Sequence, residues 1–186
     1  MFTTLSDTEK QKIIAGEYKG DKICAFGITH YRYEDCKDED LVAYGEYKLH
    51  RACLNAFLKM QSNALKNGLN LEIVSAYRSS KYQIEVFKRK FTTEIPSDKD
   101  FEARLKYSAP SGFSEHHTGL AIDINSTEED FDQTPEYKWL LAHAGDYGFE
   151  MSFPQNNRQG LGYEPWHWRF VGLNGEFSGM FKNARN

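Results

Sequence analysis

The 186-residue sequence predicts an α+β fold in which an antiparallel sheet is covered by helices on one face. Three observations point there. Residues 46–67 place Leu49, Cys53, Ala56, Phe57, Met60, Ala64 and Leu65 three or four positions apart, the stripe of an amphipathic helix, and Gly68 stops it. Residues 119–125 alternate with the period of a strand, Leu120, Ile122 and Ile124 facing one way and Ala121, Asp123 and Asn125 the other. Residues 69–77 and the aromatic run 166–171 supply two further strands, and short turn-rich stretches separate all of them.

In chain order, Ser6-Asp7-Thr8-Glu9 has the spacing of a capping box and opens a short helix ending near Gly16. Within 20–40 only the strand-like 22–27 stands out, and His30 has no second ligand type at useful spacing, so it is expected to pack or lie on the surface. His50 is expected as an ordinary position beside the stripe of the 46–67 helix. After the strand 69–77, Ser79 or Ser80 can cap a helix whose apolar face is Tyr82, Val86, Phe87 and Phe91. Arg78 then falls at a strand-to-helix junction, and Gln83 faces either the same cleft or solvent.

A second short helix is expected over 98–107, followed by the Pro- and Gly-broken segment 108–113 that delivers Ser114 and His116. Thr134-Pro135-Glu136 combines a cap, a proline at the first helical position and an early acid, and Gly148 ends that helical region. His143 lies within reach of Asp146 one turn on. Residues 149–153 are expected as a short strand, and 155–162 as a polar loop. With no repeat, low-complexity tract or linker, the chain is expected to form one domain over 1–186, in which 1–45 has no assigned role.

Composition narrows the function. Hydrophobic residues at 40%, with 13 Phe, 11 Tyr and 3 Trp, are enough to build a core. The net charge of -4 and the scattered Lys and Arg leave no basic stripe for nucleic acid. No apolar run reaches the ~18 residues of a transmembrane helix, and residues 1–7 lack the basic start and apolar middle of a signal peptide. Cys24, Cys36 and Cys53 have neither the even number nor the spacing of a disulfide framework or thiolate cage; one bridge plus a free thiol, or three thiols, fits them.

The chemistry concentrates in two segments, Ser114 to Asp123 and Glu164 to His167. A hydrolytic zinc site uses three nitrogen or carboxylate ligands and keeps a fourth position open. His116, Asp123 and His167 form such a set, a loop ligand followed by two strand ligands, with Gly119 easing the turn. Glu164, three residues before His167 with Pro165 between, should sit just ahead of the strand, facing the same site without ligating. His117 is the rival ligand to His116, and adjacent residues point apart, so at most one binds. Spacing alone does not separate this metal site from structural use of the same side chains.

The motifs then reach a known family. Ser114-Glu115-His116 through Asp123 resembles the S-x-H-x-x-G-x-A-x-D signature, and Glu164-Pro165-Trp166-His167-Trp168-Arg169-Phe170-Val171-Gly172 the E-P-W-H-x-R-[YF]-V-G signature, of VanY-type D-alanyl-D-alanine carboxypeptidases, in the zinc-peptidase group that includes lysostaphin and the hedgehog signalling domain. Ser75-Ala76-Tyr77-Arg78-Ser79 with Gln83, Lys138-Trp139-Leu140 and Tyr147-Gly148-Phe149 extend the likeness over about 69–172. The resemblance implies a hedgehog-like zinc cleft with one zinc ion on His116, Asp123 and His167, and Glu164 as general base. It implies substrate contacts from Arg78, Ser114 and Gln83 and a pocket wall from Trp166. The bound ion would lower the pKa of water toward ~7, and Arg78 could meet a carboxylate or developing oxyanion with two parallel hydrogen bonds. Ser152-Phe153-Pro154 departs from the family's usual Arg-Tyr-Pro, Ala76 from a glycine, and Leu161-Gly162-Tyr163 lacks a second tyrosine; these bear on substrate choice.

The implied function is removal of the terminal D-amino acid from peptidoglycan stem peptides, the D,D bond ahead of the L,D bond. An endopeptidase of phage or effector type and a zinc-bearing module that binds wall peptide without cutting are the alternatives. Such a substrate places the protein at the cell envelope or periplasm, with cytoplasmic turnover of wall fragments as the other location. The pattern carries no signal of oligomeric state.

Overall fold

The computed structural model describes residues 4–89 and 91–182; residues 1–3, on which part of the export expectation rests, lie outside them. The first helix, α1 (Asp7–Ile14), is held by the complete capping box of Ser6 and Glu9. Two hairpins follow, β1 (Lys22–Ala25) with β2 (Ile28–Tyr31), and β3 (Leu41–Tyr44) with β4 (Tyr47–His50). The first turns through Phe26 and Gly27, both at positive φ, a geometry that matches the right-handed twist of its strands. Of these four strands the sequence reading caught only β1.

The long helix α2 (Arg51–Lys66) starts later than expected. Residues 47–50 pair as β4, so Leu49 belongs to a strand, and His50 is the helix N-cap, its ring accepting from the Ala52 N–H at 3.1 Å. An imidazole acceptor can satisfy an orphan N–H of the first turn, as Ser or Asn would. The buried stripe is Cys53, Phe57, Met60 and Ala64. The strand expected over 69–77 is confined to β5 (Ile73–Ser75). Asn125, at φ 61, interrupts the ladder before it by accepting from the Glu72 N–H and donating to Asn70 O.

Next come α3 (Ser80–Lys88), capped by Ser79, α4 (Asp98–Tyr107), β6 (Ala121–Ile124), α5 (Pro135–His143), capped by Thr134, β7 (Phe149–Met151) and β8 (His167–Phe170). Val86 and Phe87 form the buried face of α3, whereas Tyr82 is exposed. His143 lies 3.6 Å from Asp146, as expected.

β5, β6, β8 and β7 form one antiparallel sheet in that order. One face carries Ile122, Ile124 and Trp168 into a core shared with α2 and with Tyr137 and Leu140 of α5. A second cluster joins Ile13 of α1, Ile23 and Ile28 of the first hairpin, Phe87 of α3, and Phe101 and Leu105 of α4. Register supplies the link to function: Asp123 pairs with His167 on one side and Ser75 on the other, and Ala121 with Arg169. Residues directly opposite in an antiparallel pair project to the same face, so Asp123 and His167 both leave the face opposite the α2 core.

Candidate metal centre and cleft

Three short-range features aim the site. A 3-10 turn over Glu115–Thr118 is capped by Ser114, whose hydroxyl accepts from the His116 N–H. Gly119 ends it in the left-handed region at φ 67, where a Cβ would come within 3.0 Å of the His50 backbone nitrogen, and the chain passes directly into β6. Ahead of β8, the His167 N–H donates to Glu164 O and the Glu164 N–H to Phe153 O, a tight turn that swings Glu164 toward the ligand face.

His116, Asp123 and His167 converge, each offering a ligand atom, all within 4.8 Å of one another. Asp123 lies between the imidazoles, Oδ2 at 3.3 Å from His116 Nε2 and Oδ1 at 2.9 Å from His167 Nδ1. All three side chains are buried. Two imidazole nitrogens and a carboxylate oxygen, with room beside them, are the donor set of a catalytic zinc site, and the residues fit such an ion. Glu164 stands just outside the set, Oε2 at 3.8 Å from His167 Nδ1.

The electrostatics have the same sense. Burial raises the Glu164 carboxyl to about 7, with Asp123 and Glu115 adding to the rise against the pull of His167 and Arg78. Burial, aided by the Arg78 charge, lowers His116 to about 4. Against its burial, hydrogen bonds to Asp123 and Glu115 raise His167 to about 10. Asp123, despite burial, is held far below the usual carboxylate range by His116 and His167. A buried site that gathers Asp123, Glu115 and Glu164 calls for positive charge.

Arg78 contributes a cation but no ion pair among the described residues. Its Nε is buried without a partner, and burial lowers its pKa despite the charges of Asp123 and Glu164. A guanidinium left this way is poised for an incoming anion. Gln83 is likewise buried, its Nε2 donating to Ala109 O at 2.7 Å while Oε1 has no partner; it faces the cleft rather than solvent. Ser114 and Trp166 line the same cleft of about 400 Å³. His117 is not a ligand: its Nδ1 donates to Arg78 O at 2.6 Å and its Nε2 accepts from the Gly112 N–H. It braces the Arg78 backbone instead.

Glu115 escaped the sequence reading. It is 3% exposed and gathers four donors: His167 Nε2 at 3.1 Å, Arg169 Nη1 at 2.9 Å, Tyr33 Oη at 3.3 Å and Ser152 Oγ. Those contacts, with the Arg169 charge, overcome burial and hold its carboxyl down to about 2. By holding Nε2, Glu115 fixes the ring orientation of His167 and leaves Nδ1, on the Asp123 side, as the nitrogen that would face a bound ion, the outer-shell arrangement that orients a metal-binding histidine. The signal was available: Arg169 is two residues beyond His167 on one strand, so both reach the same side.

A model of the VanY family, described as D-alanyl-D-alanine carboxypeptidase, matches residues 46–173, more than half of the chain. The chain belongs to the VanY family. A D-alanyl-D-alanine carboxypeptidase of Enterococcus faecium is 28% identical over 186 aligned residues, covering 90% of this chain and 57% of that protein. The chain thus spans little more than half the length of that relative. The structure of the LdcB LD-carboxypeptidase superposes with a TM-score of 0.63 at 26% identity, covering 91% of this chain and 81% of the other. A Zn(II) complex of a VanY D,D-pentapeptidase mutant shares the fold at a TM-score of 0.62 and 24% identity, over 80% and 85% of the two chains. The VanY fold of mixed helices and antiparallel strands agrees with the predicted α+β class.

Proposed function

We propose that this VanY-family chain, acting as one domain, is a zinc carboxypeptidase that removes the terminal D-amino acid from peptidoglycan stem peptides. The observation that carries this reading is a single cleft in which His116, Asp123 and His167 converge, Glu164 stands free beside them, and Arg78 has a buried, unpartnered Nε. One Zn2+ held by the three ligands would polarise the scissile carbonyl and make water acidic enough to attack near neutral pH. Glu164 takes the proton from the attacking water and passes it to the leaving amine as the C–N bond breaks. Arg78, with Gln83 and Ser114 beside it, receives the free carboxylate of the terminal residue, and Trp166 forms a wall.

A buried guanidinium favours an exopeptidase over an endopeptidase, since a mid-chain substrate brings no carboxylate to it. A free Glu164 likewise favours catalysis over a module that only binds wall peptide. The D,D bond of a pentapeptide is the preferred target; the likeness to an L,D-carboxypeptidase supports the tetrapeptide as the second reading. Such substrates place its action at the cell envelope, and no helix among the described residues is long and apolar enough to cross a membrane.

The test is release of D-alanine from muropeptides ending in D-Ala-D-Ala and from tetrapeptides, with and without chelator. Glu164→Gln should retain zinc while kcat falls by about 10²–10⁴. Turnover that survives both chelation and this substitution would overturn the assignment.

A further inference from the structure

The family match begins at residue 46, yet His30 of β2 and Tyr33 just after it line the cleft, so the hairpin of β1 and β2 contributes to its wall. Thr29 and Gln159 fasten it to the loop before β8: the Thr29 N–H donates to Gln159 O at 2.8 Å and Gln159 Nε2 donates to Thr29 O at 2.9 Å. Gly160 lies against the hairpin turn so closely that a Cβ there would sit 2.4 Å from Gly27 O. The Tyr33 N–H donates to Gly112 O at 2.9 Å, tying the end of the hairpin to the segment that leads into the metal site. This wall is built in rather than loosely apposed.

His30 on β2 projects from the wall into the cleft with 3% of its surface exposed. Its Nε2 lies 2.8 Å from Leu105 O, which can only accept, so the proton is on Nε2 and Nδ1 carries a lone pair. Among the described residues Nδ1 has no hydrogen-bond partner, and it is not one of the fully buried atoms, so the small exposed part of the ring includes it. Burial lowers the ring to about 4, so it is neutral at pH 7. A neutral acceptor suits an N–H and repels a carboxylate, the complement of what Arg78 offers in the same cleft.

We propose that the N-terminal hairpin is a substrate-binding wall and that His30, through Nδ1, accepts a hydrogen bond from a backbone N–H of the peptide bound in the cleft. The identity of that ligand rests on the peptidase reading above; the geometry of the acceptor does not.

Two substitutions separate this role from a structural one. In His30→Gln the side-chain amide can still donate to Leu105 O but leaves no acceptor at the Nδ1 position. In His30→Asn an amide oxygen can occupy that position but nothing reaches Leu105. His30→Gln should raise KM about five- to tenfold, the scale of one hydrogen bond, with kcat within twofold of wild type and the melting temperature little changed. Calorimetric binding of a stem pentapeptide to zinc-loaded Glu164→Gln protein should weaken by the same factor when His30→Gln is added. His30→Asn should melt earlier but keep a KM nearer wild type. A wild-type KM in His30→Gln, or a KM that follows melting temperature across both variants, overturns the proposal. Wild-type protein that binds the pentapeptide without cleaving it would sink the peptidase reading and leave the contact standing. Cleavage by wild type with undiminished affinity in His30→Gln would sink the contact alone.

Discussion

Replacing Glu115 by glutamine tests whether the buried carboxylate behind His167 sets the metal affinity. Four donors converge on its two oxygens, two of them from Arg169 and His167. Glutamine offers one oxygen in their place. If that oxygen keeps Arg169 and Tyr33, the amide nitrogen faces Ser152 and His167. The serine hydroxyl can turn to accept, but the His167 Nε2–H cannot. In the proposed metal site the imidazole then escapes a donor–donor clash only by moving its proton to Nδ1, the nitrogen that faces Asp123 at 2.9 Å and would hold the ion. Removing an outer-shell partner of this kind costs ~10–100-fold in metal affinity, and stripping one charge from a buried pair costs about 3–5 kcal/mol of stability. Zinc affinity is measured by competition with a chromogenic chelator at fixed pH, and stability by urea denaturation of the zinc-free protein. Glu150→Gln is the control, because Glu150 holds Arg169 from the more open side at 2.7 Å without touching His167; it should leave affinity within about threefold of wild type, since the partner that orients His167 is unchanged. Zinc affinity in Glu115→Gln within twofold of wild type, with stability alone reduced, would refute the argument and make Glu115 a structural ion-pair partner only.

Three further outcomes follow from burial and conformation. Burial lowers His30 from the ordinary 6.5 to about 4, so the folded protein binds fewer protons than the unfolded chain in that window; stability is whole above about 6.5 and is lost as pH falls toward 4. The loss is on the order of 3 kcal/mol, and urea melts at pH 7 and 4.5 should show His30→Gln losing less than wild type; equal losses would contradict the assignment. Gly160→Ala sets a Cβ against Gly27 O at φ +69 and should destabilise by about 2 kcal/mol or more, seen as an earlier melt, whereas an unchanged melt would mean that the hairpin does not dock there. Phe57→Ala empties a fully buried position on α2 and should cost about 3–5 kcal/mol in urea unfolding without changing the zinc stoichiometry.

Much of the fold was legible because the signals are local. The capping box at Ser6, the Thr134-Pro135 helix start and the alternation over 119–125 depend on near neighbours in the chain; both helix starts appear where the pattern put them, and the alternation contains β6. The failures are also physical. Leu49 lies in phase with the α2 stripe, so a hydrophobic period alone cannot show that the chain has turned from strand to helix at His50. In the hairpin of β1 and β2 only the first strand shows in the sequence; the second is short and is held by contacts with Gln159, Leu105 and Gly112, about 75 to 130 residues away.

By itself the sequence determined which residue types could meet at the site: the two motifs that resemble the family signatures name His116, Asp123, His167 and Glu164, and these are side chains that ligand chemistry allows there. Only the tertiary structure decided the rest. Strand register puts Asp123 opposite His167, the packing of β8 against the 3-10 turn places Glu115 behind that imidazole, and docking of the N-terminal hairpin brings His30 into the cleft. Those placements join residues far apart in the chain, and a hydrogen bond or a shared face between distant segments leaves no periodicity in either one.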